Sequence, residues 1–157
     1  MEEKREIKQN KVYDEDGKLK YTIIPNYVKT DFFMSANEIR FYKFLVNVII
    51  KIKQIYNENL EIFPQVAINR LIKQNNRRET ELSKDIFCRS IDYVIYNKDK
   101  DEIKCCIELD GKEHSTDEER IKRDKIINEA FKDNIKLIRQ PVVDYYDENQ
   151  LIEKIMQ

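Results

Sequence analysis

Glycine and proline are nearly missing from this chain, at 2 and 3 of 157 residues. That scarcity leaves no flexible linker and no evident domain boundary. Cysteine is sparse as well. An odd count of three, with Cys105 and Cys106 adjacent and Cys88 apart, argues against a disulfide framework. Nor does it give the paired thiolates across a short turn that zinc takes. The three read as small buried apolar residues of a reducing cytosol. No run approaches the ~20 apolar residues of a membrane span. The charged start Met1–Lys11 has no apolar stretch behind it, so no signal peptide is expected. The expectation is a cytoplasmic protein with no membrane partner. An excess of either charge is missing too. Lys+Arg 29 face Asp+Glu 30, a net −1, so any attraction to nucleic acid has to come from a local patch. No internal repeat is evident. Histidine occurs once, at His114.

What is present is a chain 38% charged, of a length that suits one ordinary domain. Such a domain buries roughly two-thirds of its unfolded surface without help from metal or disulfide. Residues 1–31 read as an N-terminal extension whose first residues are weakly ordered. In it, Val12–Tyr13 and Leu19–Ile24 flank Asp14-Glu15-Asp16-Gly17, and Asp-Gly between β-prone runs signals a hairpin. Residues 32–157 read as a single domain. Ser35-Ala36-Asn37-Glu38 is a capping box opening a helix to about Asn57. Tyr42, Leu45, Ile49, Ile52 and Tyr56 form its apolar stripe, and Phe33 or Met34 is placed to staple onto Ile39. Glu38 falls on that stripe, where a carboxylate needs a partner. It serves either the N-cap amide or a site beyond the helix.

Leu60–Ile68 is a strand that Pro64 marks as an edge or a bulge, with Gln65 as a polar contact toward a site. Thr80–Lys84 reads as a short helical turn. Ser90–Tyr96 is a strand carrying Asp92; the polar turn Asn97–Asp101 returns it as an antiparallel Ile103–Asp110. Asp117–Asp133 is the second good helix, with Thr116 as N-cap. Ile135–Arg139 is a short strand closed by Pro141, and Asp147–Met156 a terminal helix.

Alternation places Lys104, Cys106, Glu108 and Asp110 on one face of their strand and Ile103, Cys105, Ile107 and Leu109 on the other. Asp92 shares a face with Val94 and Tyr96. Glu108 and Asp110 then point the same way, about 7 Å apart, and the hairpin brings Asp92 close to Glu108. Clustered carboxylates repel one another unless a cation lies between them. Hard oxygen donors without paired cysteines favour Mg²⁺ or Mn²⁺ over zinc. The competing reading makes Asp92 a structural polar residue and the other two solvated strand-end acids. Asn69–Arg78 carries Arg70, Lys73, Arg77 and Arg78 with no acid among them. It is either a solvated loop or a phosphate-contacting one. Arg120, Lys122, Arg123 and Lys125 are interleaved with the apolar residues of the second helix. They form either a salt-bridged surface face or, for Arg123 on the Ile127/Ala130 side, something more.

Ser35 and Glu38, Phe63-Pro64-Gln65-Val66, Ile91-Asp92, Ile107-Glu108-Leu109-Asp110-Gly111 with His114, and Arg123-Asp124 follow one another in a recognisable order. That order, from about Phe32 to Gln140, resembles the PD-(D/E)XK, or restriction-endonuclease-like, superfamily. Within it the pattern looks like very short patch repair endonucleases and small bacterial domains that share the motif. The resemblance implies an α/β fold: an α-β-β-β-α-β core with a mixed sheet flanked by helices, here preceded by the accessory hairpin. It implies Mg²⁺, or Mn²⁺, held by Asp92, Glu108 and the backbone carbonyl of Leu109, with Glu38 reaching the ion directly or through water. The superfamily usually has lysine where this chain has Asp110, which stays in the catalytic set with Glu38, Asp92, Glu108 and His114. His114 is then the candidate general base, and Lys112 a weaker substitute for the missing lysine. Gln65 and Arg123 would contact the ligands or the phosphate; Arg70, Lys73, Arg77, Arg78 and Lys112 would contact nucleic acid.

The expected activity is metal-dependent phosphodiester hydrolysis by a DNA endonuclease or nickase of a restriction, repair or mobile-element system. RNA is the other substrate this chemistry allows. A homodimer or a larger DNA-processing complex would enlarge a thin basic footprint. The alternatives are a catalytically silent nucleic-acid-binding module of the same fold and a protein-interaction domain without nuclease function.

Overall fold

The computed structural model describes residues 9–13, 15–23, 30, 33–73, 88–111 and 118–157. Two compact units divide the chain, Met1–Phe33 and Met34–Gln157. In the first, β1 (Gln9–Tyr13) and β2 (Leu19–Ile23) pair antiparallel. Gly17, at φ 73°, supplies the left-handed turn residue that the Asp-Gly signal anticipates. The Thr80–Lys84 turn and the Thr116 cap lie outside the described residues.

The second unit runs α1 (Ala36–Tyr56), β3 (Leu60–Ala67), a 3₁₀ turn (Ile68–Arg70), β4 (Ser90–Asn97), β5 (Glu102–Asp110), α2 (Glu118–Lys132), β6 (Leu137–Pro141) and α3 (Glu148–Met156). The sheet order is β3-β4-β5-β6. The first three strands are antiparallel and β6 is parallel to β5. A parallel pair needs a crossover, and α2 lies within it. The result is an α/β unit with a four-stranded mixed sheet flanked by helices. No helix among the described residues is long and apolar enough to cross a membrane.

Two buried clusters fill the faces of the sheet. Phe41, Leu45, Val48 and Ile52 of α1 and Leu151, Ile152 and Ile155 of α3 pack with Tyr93, Ile95, Cys105 and Ile107. On the other face, Ile127 and Phe131 of α2 pack with Ile68, Ile91, Val94 and Cys106. Each fully buried large apolar side chain contributes about 1.5–3 kcal/mol, so these residues set the layer order. The α1 stripe is centred one residue earlier than periodicity suggests. Phe41 and Val48 are fully buried, Tyr42 and Ile49 flank the cluster, and Tyr56 is exposed. The helix has an apolar arc wide enough for two registers, and the Tyr93 ring meets both Phe41, at a centroid distance of 5.5 Å, and Tyr42, at 6.3 Å. The expected staple does not form, since Phe33 and Ile39 are exposed and Met34 packs on the first cluster instead.

Strict alternation fails at two places, both of them informative. In the β4–β5 pair the register slips at Ile95 and Tyr96 of β4: Ile95 faces Cys105, but Tyr96 faces Ile103. Lys104 is the extra residue of this bulge. Ile103 therefore joins the α2 face with Cys106, instead of the Cys105 face that alternation gave it. In β3, Leu60 and Ile62 point to the α1 side, while Val66 and Ile68 point to the α2 side. The reversal occurs at Gln65, which has φ 54° and is skipped, with Asp92 opposite it, in an otherwise continuous ladder. The partner strand reverses at the same level, since Ile91 joins the α2 cluster and Tyr93 the α1 cluster.

Candidate metal centre and adjoining cleft

Glu38 stands at the third position of α1, at the head of the stripe that continues into Phe41. The N-cap use expected of its carboxylate is realised, and the second oxygen is engaged as well. Oε2 accepts the Ser35 backbone N–H at 2.5 Å and Oε1 accepts the Gln65 side-chain N–H at 2.5 Å. The Ser35 hydroxyl returns the bond by accepting the Glu38 N–H at 3.3 Å, which completes the capping box. Tyr93 ties the same turn to the sheet by donating its hydroxyl to the Glu38 carbonyl at 2.6 Å. Burial and the nearby acids push that phenol well above its ordinary range.

Asp92 lies where the β3–β4 ladder opens. Its Oδ2 accepts the Leu109 N–H at 2.8 Å, and its Oδ1 accepts a long 3.4 Å bond from Gln65. The Glu108 Oε2 in turn accepts the Asp92 N–H at 3.4 Å. The two carboxylates thus sit side by side across the β4–β5 pair, as the hairpin predicted. Burial, opposed by the Leu109 bond and reinforced by the Glu38 charge, pushes Asp92 up to about 6. Burial and the Asp92 charge push Glu108 up to about 7, against the pull of Arg139. Two desolvated acids that resist joint ionisation, with oxygen donors only, are a set that a hard divalent cation fits.

Asp110 is drawn elsewhere. Arg139 of β6, directly opposite Glu108 in the parallel ladder, bonds three α2- and β5-borne acceptors. They are Asp110 Oδ1 at 3.0 Å, Asp124 Oδ1 at 3.3 Å and Asn128 Oδ1 at 3.2 Å. The expectation that Asp92, Glu108 and Asp110 converge as three is therefore corrected. Among the described residues no group of three acidic, cysteine or histidine side chains is arranged to cage an ion, because the Arg139 guanidinium holds Asp110 and the cap and Gln65 hold Glu38. The acidic pair remains, beside the main chain at Leu109.

Glu108, but not Asp92, lines a polar cleft of about 350 Å³ together with Cys88, Arg89, Ser90, Arg123, Asp124 and Ile127. Arg123 thus stands in the cleft wall, on the side of α2 that its Ile127 spacing indicated. Arg70 and Lys73 are exposed beyond the end of β3. Arg77, Arg78, Lys112 and His114 lie outside the described residues.

Three contributors escaped the sequence reading. Ser90 donates its hydroxyl to Gln65 Oε1 at 2.7 Å; its signal was a hydroxyl two residues before Asp92 on one strand. Tyr93 was legible only as a core residue. Arg139 showed only as a lone arginine inside a short apolar strand, with nothing local to say which strand it would lie beside. No curated protein and no solved structure matches the chain. A family model described as protein of unknown function (DUF2726) matches residues 31–157, which span the whole second unit, and the chain belongs to that family.

Proposed function

We propose that this protein is a metal-dependent phosphodiesterase, a DNA endonuclease or nickase built on a restriction-endonuclease-like core. The observation that carries the reading is the Asp92–Glu108 pair. Two adjacent, partly buried carboxylates each resist ionisation, and one of them, Glu108, lines a polar cleft that also has Arg123 in its wall. The element order from α1 to β6 agrees with the α-β-β-β-α-β core of that superfamily.

Asp92 and Glu108 would hold Mg²⁺ or Mn²⁺, with the Leu109 carbonyl as the third donor. The chemistry such an ion supplies is polarisation of a phosphoryl oxygen and stabilisation of the leaving oxyanion. The Leu109 N–H orients Asp92, and Arg139 favours the ionised form of Glu108. Glu38, with both oxygens already engaged, serves through water rather than as a direct ligand. Asp110 holds Arg139 and is not the base. His114, three residues beyond Gly111, is proposed as the base that takes a proton from the attacking water. Arg123 contacts the phosphate from the cleft wall, where a guanidinium fork matches its oxygens. Arg70 and Lys73, with Arg77, Arg78 and Lys112, extend the contact along the backbone.

Incubation with supercoiled plasmid in Mg²⁺ or Mn²⁺, beside Asp92→Ala and Glu108→Ala, tests the reading. Nicking or linearisation by the wild type that both substitutions abolish supports it. Equal residual cleavage in all three sinks it. A salt-sensitive mobility shift that survives both substitutions, without cleavage, would make the protein a nucleic-acid-binding module instead.

A further inference from the structure

Gln65 combines three features that ordinary strand residues lack. Its backbone is left-handed, at φ 54°, a conformation that costs a side chain with a Cβ and that proteins retain where the surroundings over-determine it. Its amide has both ends engaged: Oε1 accepts the Ser90 hydroxyl at 2.7 Å, and Nε2 faces Glu38 Oε1 at 2.5 Å and Asp92 Oδ1 at 3.4 Å. It also stands where β3 and β4 exchange faces, so the twisted backbone is what turns this side chain toward the acids.

We infer that Ser90 and Gln65 form a positioning pair for the acidic centre, in which the Ser90 hydroxyl fixes the amide so that its N–H edge faces two carboxylates. The inference rests on reading Asp92 and Glu108 as a divalent-ion site. An amide is nearly symmetric in shape, and only its hydrogen-bond partners decide which end is nitrogen. Turned over, the Gln65 oxygen would meet the Glu38 and Asp92 oxygens, three acceptors facing one another once both acids are ionised. The acceptor-only carboxylates exclude this, and Ser90 anchors the amide in that orientation by donating to its carbonyl end. Glu38 and Asp92 are then held close by a neutral donor, without using up the negative charge that a cation needs. A lysine or arginine in the same place would neutralise that charge and compete with the ion. Partners of ligating carboxylates act in this way on affinity: they orient the ligand without touching the metal, and their loss typically weakens binding by about 10–100-fold.

The test is Mn²⁺ binding by calorimetry on the full chain, with thermal melts of the metal-free proteins alongside. Ser90→Ala releases the amide, Ser90→Thr keeps the hydroxyl, and Gln65→Gly removes the amide while accepting φ 54° without steric strain. The expected result is Mn²⁺ affinity at least about 10-fold weaker in Ser90→Ala and Gln65→Gly and close to wild type in Ser90→Thr. The metal-free Gln65→Gly protein should melt no lower than wild type, since it loses a strained residue. Binding that is equal in the wild type and all variants overturns the pairing and leaves the metal centre standing. A Gln65→Gly protein that melts below the wild type and binds weakly also overturns it, because the residue would then be holding the fold. A wild type with no more Mn²⁺ binding than Asp92→Ala removes the metal centre, and the inference with it.

Discussion

Replacing Glu108 by glutamine isolates what the fold spends on holding that charge. Burial, with the Asp92 charge beside it, lifts the Glu108 carboxyl from an ordinary 4.5 to about 7, and each pH unit of displacement corresponds to about 1.4 kcal/mol. A carboxyl raised in the folded state contributes stability that is fully present below pH 4.5 and lost as pH climbs through about 7. By about pH 8 the metal-free wild type has lost about 3 kcal/mol at this position. Solvent access through the cleft and the charge shared with Asp92 reduce the expected figure to about 2 kcal/mol. Glutamine has the same shape and is neutral throughout. Without divalent ions, Glu108→Gln should therefore match the wild type near pH 4.5 and exceed it by about 2 kcal/mol near pH 8. For a chain of this length that is about 4–8 °C in Tm. Paired thermal melts in chelator-treated buffer across that range measure the gap. Adding Mg²⁺ should raise the wild-type Tm and leave the variant where it was, since only a protein that binds the ion is stabilised by it. A variant that melts at or below the wild type near pH 8 refutes the buried-charge account. A gap that stays constant across the range refutes it as well, by pointing to packing rather than ionisation.

Other expectations follow from the same geometry. Phe41→Ala empties the centre of the first cluster, where the ring meets Phe44, Tyr93 and Tyr146; it should cost about 3–5 kcal/mol by urea unfolding. Ser35→Ala removes half of the capping box and should cost about 1 kcal/mol, read from the same titration. A thiol reagent at neutral pH should label Cys88 and spare Cys105 and Cys106 until denaturant is added. The first is exposed and the others are buried, with burial pushing both thiols up to about 12; labelling of all three in the native protein would contradict the packing.

The parts legible in the sequence were those set by local chemistry. The capping box of α1, the Asp-Gly hairpin and the antiparallel β4–β5 pair each follow from a few adjacent residues, and the structure has all three. The approach of Asp92 to Glu108 followed from that hairpin alone. Contacts that depend on a break in backbone regularity leave no such local mark. Alternation could not anticipate the Lys104 bulge, because nothing in Ile103-Lys104-Cys105 marks the extra residue. It could not place Ser90 against Gln65 either, because the contact depends on a left-handed glutamine. The pull of Arg139 on Asp110 was hidden for another reason: it crosses from β6 to β5, and strand adjacency is a long-range property that local pattern does not carry.

The bend at Pro64 and Gln65 has a consequence beyond the acidic centre. β3 lies at the edge of the sheet, with Phe63 exposed, and a straight edge strand is a template on which another chain can add. Here a residue with no N–H to donate is followed by one whose backbone turns out of the pleat, so an incoming strand meets an interrupted row of donors and acceptors. The irregularity that aims one side chain inward also spoils the outer edge for association. A substitution that straightened β3 would therefore be expected to show itself first as loss of solubility, before any change in chemistry.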